Sequence, residues 1–393
     1  MKILMISPVP THPPTAGNRA RILTLAQGLI DAGHELHFAW IPTEPGDTRG
    51  MTGFFEGRFH DLGYRSPGAR ASRLAGWWRR GLRALKQPAA YVWGVDDWYD
   101  EAATEALMRL DGQHRFDAVF VEYVFMSKAF EAFGERTIKI LDTHDRFADR
   151  HLAYLKAGKR PDWFATTPAE EVRGLRRADV VLAIQDGEAE IFSRMLSGAA
   201  SVLTVGHLLD IQDLGSDARR KAAVFVASGN AINVDAANVF VTQVLPRVRD
   251  AHADFEVVLA GDVCARVPDA PGVRKLGRVD SIPDTYRQGL LAINPVRMGT
   301  GLNIKTVECL ALGMPLVATE SGSRGLESLR NVAMLTVGND DYEGMAQAVI
   351  AVLDDSALRT RLSQEATRAA REWNAEQLSN LDAALGLSAR RAA

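Results

Sequence analysis

Between Arg297 and Leu316 the chain reads RMGTGLNIKTVECLALGMPL. Gly299-Thr300-Gly301 lets the backbone turn sharply and approach a ligand, and the spacing predicts a helix from Leu302 to Leu312 that stops at Gly313 and Pro315. Free N–H groups and the positive dipole end meet at such a helix start, which makes it an anion site. Lys305 lies about one turn in and Arg297 just before the turn, so two cations can flank a pair of phosphates. Glu308, three residues after Lys305, falls on nearly the same helical face. A carboxylate repels phosphate but accepts hydrogen bonds from the two hydroxyls of a ribose. Together these groups suit a nucleotide diphosphate. The stretch is neither G-x-x-x-x-G-K-[ST] nor G-x-G-x-x-G, and a glycine pair at a helix start is by itself also what an ordinary capped turn looks like.

The elements that must position these residues follow a repeated grammar. KILMIS is a strand, PVPTHPPTAGN a proline-rich loop, and RARILTLAQGLIDAG a helix with Ile22, Leu25 and Leu29 on one side; ELHFAWI is the next strand. Such a βαβ unit implies a parallel sheet covered on both faces. DAVFVEY, IKILDTH and ADVVLAIQ continue the first half, while FEVVLAGD, VRKLGRV, LLAINPV and PLVAT follow VFVASGN in the second. The expected fold is α/β, two doubly wound Rossmann-like domains facing across a cleft. Residues 1–207 form the first domain, 208–222 a polar linker, 223–372 the second domain, and 373–393 a C-terminal helix that can return to the first. Gly17, Glu122, His144 with Asp145, Gly229, Gly261, Arg297 with Gly299, and Glu320 all follow strands, where open α/β sheets bind ligands.

The 393 residues exceed one comfortable core, and 47% hydrophobic with 24% charged residues is ordinary for a globular α/β protein. A net charge of −3 gives no global attraction to nucleic acid. The two cysteines, Cys264 and Cys309, lack metal-ligand spacing and argue for a reducing, cytoplasmic setting. MKILMISPVP is too short for a secretory core, and no apolar run is long enough to span a bilayer.

NPVRMGTGLNIKTVECLALGMPLVATESGSRGL resembles the donor-site signature of GT-B nucleotide-sugar glycosyltransferases of the retaining group 1 (family 4) type. SPVPTHPPTAGNRARILTLAQGLIDAGHEL is similar to that family's glycine loop, first helix and GHEV-like turn, and LDTHDRF to its acceptor-domain histidine loop. The resemblance implies donor contacts from Gly17, Gly229, Arg278, Val279, Gly299, Thr300, Gly301, Leu302 and Glu308, with Lys305 and Arg297 neutralising phosphate. His144 would hydrogen-bond the reacting sugar; as alternatives, it caps a helix or pairs with Asp142 or Asp145. Glu122, Tyr123 and Asp145 are placed on the acceptor side, and for Glu122 and Tyr123 a structural role is equally open. Two departures stand out. Thr300 replaces the family's second glutamate, and SGNAINVDAAN replaces its Arg-x-x-x-x-Lys pair, for which Arg297 is a candidate substitute.

No D-x-D motif is present, so no metal or cofactor is expected and the protein must supply the positive charge that stabilises a nucleotide-diphosphate leaving group. The implied reaction moves sugar from a nucleotide sugar to a glycan or lipid-linked acceptor, in cell-surface polysaccharide or glycoconjugate synthesis. Rival readings are a GT-B epimerase, an inverting transferase using His144 with Asp145 as base, and a binding protein without turnover. Finally, RSPGARASRLAGWWRRGLRALK at 65–86 has seven basic residues and two tryptophans. Its helical periodicity suits an anionic membrane surface, so a peripheral location and a lipid-linked acceptor are expected from it.

Overall fold

The computed structural model describes residues 1–14, 16–63, 87–156, 158, 160–161, 163–212, 214, 220–299 and 302–389. The basic segment 65–86, Thr300 and Gly301 lie outside the described residues. Two units are distinguished. Unit 1 comprises Met1–Pro14, Asn18–Gly206 and Gln377–Ala393; unit 2 comprises Thr15–Gly17 and His207–Glu376.

In unit 1 the apolar runs become β1 (Lys2–Ser7), β2 (Glu35–Trp40), β3 (Phe59–Asp61), β4 (Ala118–Glu122), β5 (Ile138–Asp142), β6 (Val180–Ala183) and β7 (Ser201–Thr204). Their order is β3-β2-β1-β4-β5-β6-β7, with every pair parallel. Ile3, Leu4, Met5 and Ile6 are wholly buried, as expected of a central strand covered on both faces. The strand order reverses direction between β1 and β4, which creates a switch point at their carboxyl ends.

Unit 2 repeats the plan with β8 (Ala222–Val226), β9 (Glu256–Ala260), β10 (Val273–Gly277), β11 (Leu291–Asn294), β12 (Leu316–Thr319) and β13 (Leu335–Val337). The order is β10-β9-β8-β11-β12-β13, again all parallel, with the switch point between β8 and β11. Three short strands, β3, β7 and β13, have no counterpart in the sequence reading. All lie at sheet edges and are half-buried or exposed, so they lack the continuous apolar run of a central strand.

The described part of the expected linker belongs with unit 2, because Leu208, Leu209 and Leu214 are buried and Gln212 N–H donates to Ala311 O at 3.0 Å. The chain ends in two helices, Tyr342–Asp354 and Ser356–Ala389. Asp355 breaks them in an extended conformation, and its side chain accepts from Leu358 N–H at 2.9 Å, capping the second. From Gln377 onward that helix counts with unit 1, where Leu381, Ala384 and Leu385 join the core. Among the described residues no helix is long and apolar enough to cross a membrane.

One glycine fixes the rim of unit 2. Gly261, directly after β9, has φ 92° and ψ −171°, a region essentially reserved for glycine. A Cβ there would stand 2.3 Å from the Ala227 carbonyl oxygen. Its N–H donates to Gly277 O at 2.6 Å, drawing the carboxyl ends of β9 and β10 together. Gly261→Ala should therefore destabilise the protein by about 3 kcal/mol through strain and overpacking together. Urea unfolding of the full chain checks this; a change within about 0.5 kcal/mol, the size typical of neutral surface substitutions, would show that the rim relaxes freely.

Candidate functional site

In unit 2 the residues singled out in the sequence gather on the carboxyl rim. Gly229 follows β8, Arg278 and Val279 follow β10, and Arg297 and Gly299 follow β11. The helix Ile304–Ala311 opens beside the switch point. Its N-cap residue, Asn303, makes no side-chain cap bond, so the first-turn N–H groups are left without a capping side chain. Leu302, just before it, is buried. Gly17 belongs with this unit, and a Cβ on it would come within 3.3 Å of Ile304, so a larger residue would crowd the helix start. Behind the helix, Asn294 Nδ2 donates to Thr306 Oγ1 (2.8 Å) and Gly322 O (3.1 Å), bracing β11 against the helix and the loop after β12.

Lys305 and Glu308 share one side of this helix, as their spacing implies. Lys305 Nζ donates to two amide oxygens, Asn233 Oδ1 at 3.2 Å and Asn303 Oδ1 at 3.4 Å. Among the described residues no carboxylate lies within ion-pair distance of it. Burial pushes its pKa down to about 8, against an opposing pull from Glu308. Glu308 keeps 34% of its side chain exposed, with His207 Nε2 3.8 Å away, and its enclosure raises the carboxyl to about 7 despite Lys305.

Arg297 departs from its expected role. Its guanidinium donates to Asp235 (2.9 Å), Asp340 (2.7 Å) and Tyr342 Oη (3.1 Å), so two carboxylates already match its charge. Arg278 is likewise paired, with Asp262 at 2.7 Å, and is largely exposed. The segment SGNAINVDAAN meets both Lys305 and Arg297: its helix, Ala231–Val239, contributes Asn233 to the first and Asp235 to the second. A further cation was missed. Arg324, in the SGSRGL run, donates to the Gly299 carbonyl and so sits against the glycine turn.

Unit 1 builds a second constellation at its own switch point. Arg21, from the first helix, is buried and makes a bidentate pair with Asp142 (2.9 and 2.6 Å) while donating to Val205 O at 2.7 Å. Next to it His144 Nε2 lies 2.6 Å from Glu122 and 3.6 Å from Asp142. Burial, then the charge of Asp142, drives Glu122 well above the usual carboxyl range, and burial lowers His144 to about 4. Burial alone would raise Asp142 as well, but Arg21 holds it ionised and below its ordinary value. With Glu122 neutral and Asp142 ionised beside it, His144 is a neutral imidazole whose Nε2 is taken up by Glu122. Tyr123 stacks on that ring at 4.0 Å, and both residues occupy positive φ, 72° and 59°. Glu122, Asp142 and His144 could group around a metal, since their ligand atoms lie within 4.8 Å of one another, but the Arg21 guanidinium already neutralises the ionised member. Asp145 does not join this set; it pairs with Arg150 at 3.0 Å.

Two buried carboxyls carry the histidine loop. Glu171 accepts from Phe147 N–H (2.7 Å) and Ala148 N–H (3.0 Å), and Glu188 from Arg146 N–H (3.3 Å).

Residues 220–355 match the family model described as glycosyl transferases group 1. No match is found among curated proteins. Among solved structures, Anabaena HepE in complex with UDP and glucose superposes with a TM-score of 0.63 at 13% identity, covering 97% of this chain and 99% of that one. Sucrose-phosphate synthase from Thermosynechococcus elongatus gives 0.65 at 14% identity, with 100% of each chain covered. A glycosyltransferase from Rickettsia africae gives 0.65 at 10%, covering 98% and 97%. The fold is that of the GT-B proteins.

The loop carboxyls set a pH dependence. Burial lifts Glu171 to about 7 and Glu188 to about 8, from about 4.5 in the unfolded chain. Their stabilisation is fully present below about 4.5 and is lost as pH rises through 7 to 8. His144 and His60, lowered to about 4, act in the opposite sense but are neutral in both states above about 6.5. Stability should therefore fall between about pH 6.5 and 8, by at most about 1.4 kcal/mol per pH unit per group. The Glu171→Gln, Glu188→Gln double variant should fall less steeply in urea unfolding at these pH values; an equal slope would reject the assignment.

Proposed function

We propose that the chain is a retaining transferase that moves a sugar from a nucleotide-diphosphate sugar to a glycan or lipid-linked acceptor, without a catalytic metal, in glycoconjugate synthesis. One observation carries the reading: a half-buried lysine at an uncapped helix start, held by amide oxygens, beside a carboxylate on the same helix. A diphosphate completes the first group and a ribose the second. The UDP held by the Anabaena relative makes UDP the first nucleotide to test.

In this reading Glu308 receives the ribose hydroxyls, while Lys305, the first-turn N–H groups and Arg324 stabilise charge on the departing diphosphate. Arg297 serves instead as the tie between β11 and the helix Ala231–Val239. His144, with its Nε2 taken up by Glu122, binds a sugar hydroxyl through Nδ1. A lowered pKa and an occupied Nε2 make it a poor general base, and Asp145 is engaged elsewhere, which favours retention over inversion. The Arg-rich segment 65–86 remains our candidate for contact with an anionic membrane.

Nucleotide sugars screened by thermal shift should stabilise the fold by about 2.7 kcal/mol at 100 times the dissociation constant. Glu308→Gln and Lys305→Ala should each lower transfer about a hundredfold, corresponding to about 2–3 kcal/mol, with the fold intact. Because Glu308 must ionise and Lys305 must stay protonated, donor affinity should rise with pH through about 7 and fall through about 8. Glu308→Gln should erase the acid limb alone. Near-normal activity in both variants would remove the donor-site assignment. Inverted product by NMR would exclude retention, and donor binding without any turnover would favour the binding protein.

A further inference from the structure

Away from these residues, unit 1 brings three histidines together at the β3 edge of its sheet. His37 is the third residue of β2, His60 the middle of β3, and His114 the last residue of the helix Glu101–His114. His60 pairs in register with Ala39, so His37 and His60 project from the same sheet face. Each can offer one ring nitrogen such that all three lie within 4.8 Å of one another. His37 Nδ1 and His60 Nε2 are 3.0 Å apart, and the His114 ring centroid lies 4.4 Å from that of His37.

We propose that His37, His60 and His114 bind a divalent transition-metal ion, Zn²⁺ by the chemistry of the donor set. Three imidazoles suit zinc, whose Zn–N bonds of about 2.0–2.1 Å place ligand nitrogens about 3.3 Å apart at tetrahedral angles. The observed 3.0 Å needs only a few tenths of an ångström of opening. A second observation orients the set. Glu35 Oε1 lies 3.1 Å from His37 Nε2. The carboxylate accepts from Nε2–H and so turns the Nδ1 lone pair toward His60, the carboxylate–histidine arrangement that supports metal ligands. Phe116 packs edge-on against His37 at 5.2 Å and shields the ring, which is 3% exposed, while His60 and His114 are half-buried and reachable. The ion would join β2, β3 and the helix end, a structural role independent of the transfer chemistry.

The test uses tag-free full-length protein, stripped with a chelator and titrated with Zn²⁺ against a competing indicator, then with Co²⁺ for its ligand-field absorption. One equivalent should bind, give the intense visible bands of four-coordinate Co²⁺, and raise the melting temperature. His60→Ala and His114→Ala should each weaken binding by more than about 100-fold, and Glu35→Gln by about 10- to 100-fold. His144→Ala should leave uptake unchanged, which separates this cluster from Glu122, Asp142 and His144. Should circular dichroism show an alanine variant unfolded, His60→Gln and His114→Gln replace it. Absence of saturable uptake, uptake indifferent to His60 and His114, or uptake lost with His144 would each overturn the proposal.

Discussion

The carboxyl rim of unit 2 depends on an electrostatic imbalance at one helix start. Lys305 is largely withdrawn from water, yet amide oxygens rather than a carboxylate hold it. Desolvating a charge without a counter-ion is costly, and a lowered pKa expresses that cost. Arg297, a few residues away, is treated in the opposite way: two carboxylates and a tyrosine hydroxyl surround it. The contrast separates a cation left without a counter-ion from a cation used as a tie. It also explains why the asparagine-rich start of the second unit replaces charged residues there. Asn233 positions the lysine without neutralising it, whereas an aspartate at that place would cancel the field.

Unit 1 solves a related problem with the signs reversed. Three acidic or imidazole groups crowd one buried spot, and they cannot all ionise. Arg21 stabilises one negative charge, on Asp142, with two hydrogen bonds. The adjacent Glu122 then remains protonated, and His144 remains neutral. The histidine ring is consequently held in one orientation, by its contact with Glu122 and by Tyr123 stacked on its face. Glu171 and Glu188 hold the loop backbone on the other side, so the positive φ of His144 is imposed by its surroundings.

Much of this was legible in the sequence because parallel sheets write themselves as buried apolar runs. The central strands stand where KILMIS, DAVFVEY and LLAINPV place them, and Lys305 and Glu308 share a helix side through their spacing alone. The edge strands FHD, SVLT and LTV were silent because half-buried strands carry little hydrophobic signal. Pairings between distant segments were also silent. Nothing in NPVRMG says that Arg297 will meet Asp235 and Asp340, and nothing in RARIL says that Arg21 will reach Asp142. Sequence spacing informs about neighbours on one element; the choice between a free and a matched charge is made by other elements.

The same division clarifies why the histidine cluster escaped notice. His37, His60 and His114 are separated by 23 and 54 residues, far from any local metal-ligand spacing. Only the parallel register of β2 with β3, and the return of a helix toward β4, brings them together. Loops at the carboxyl ends of the strands are free to vary with the ligand, because the strands fix their starting points. At the amino ends, helices must be handed back into strands, and geometry there is set by packing. Groups collected on the shared face of β2 and β3 can tie the sheet edge without using any residue of the rim. The edge strand β3 needs such a tie most, having three residues and a single strand neighbour.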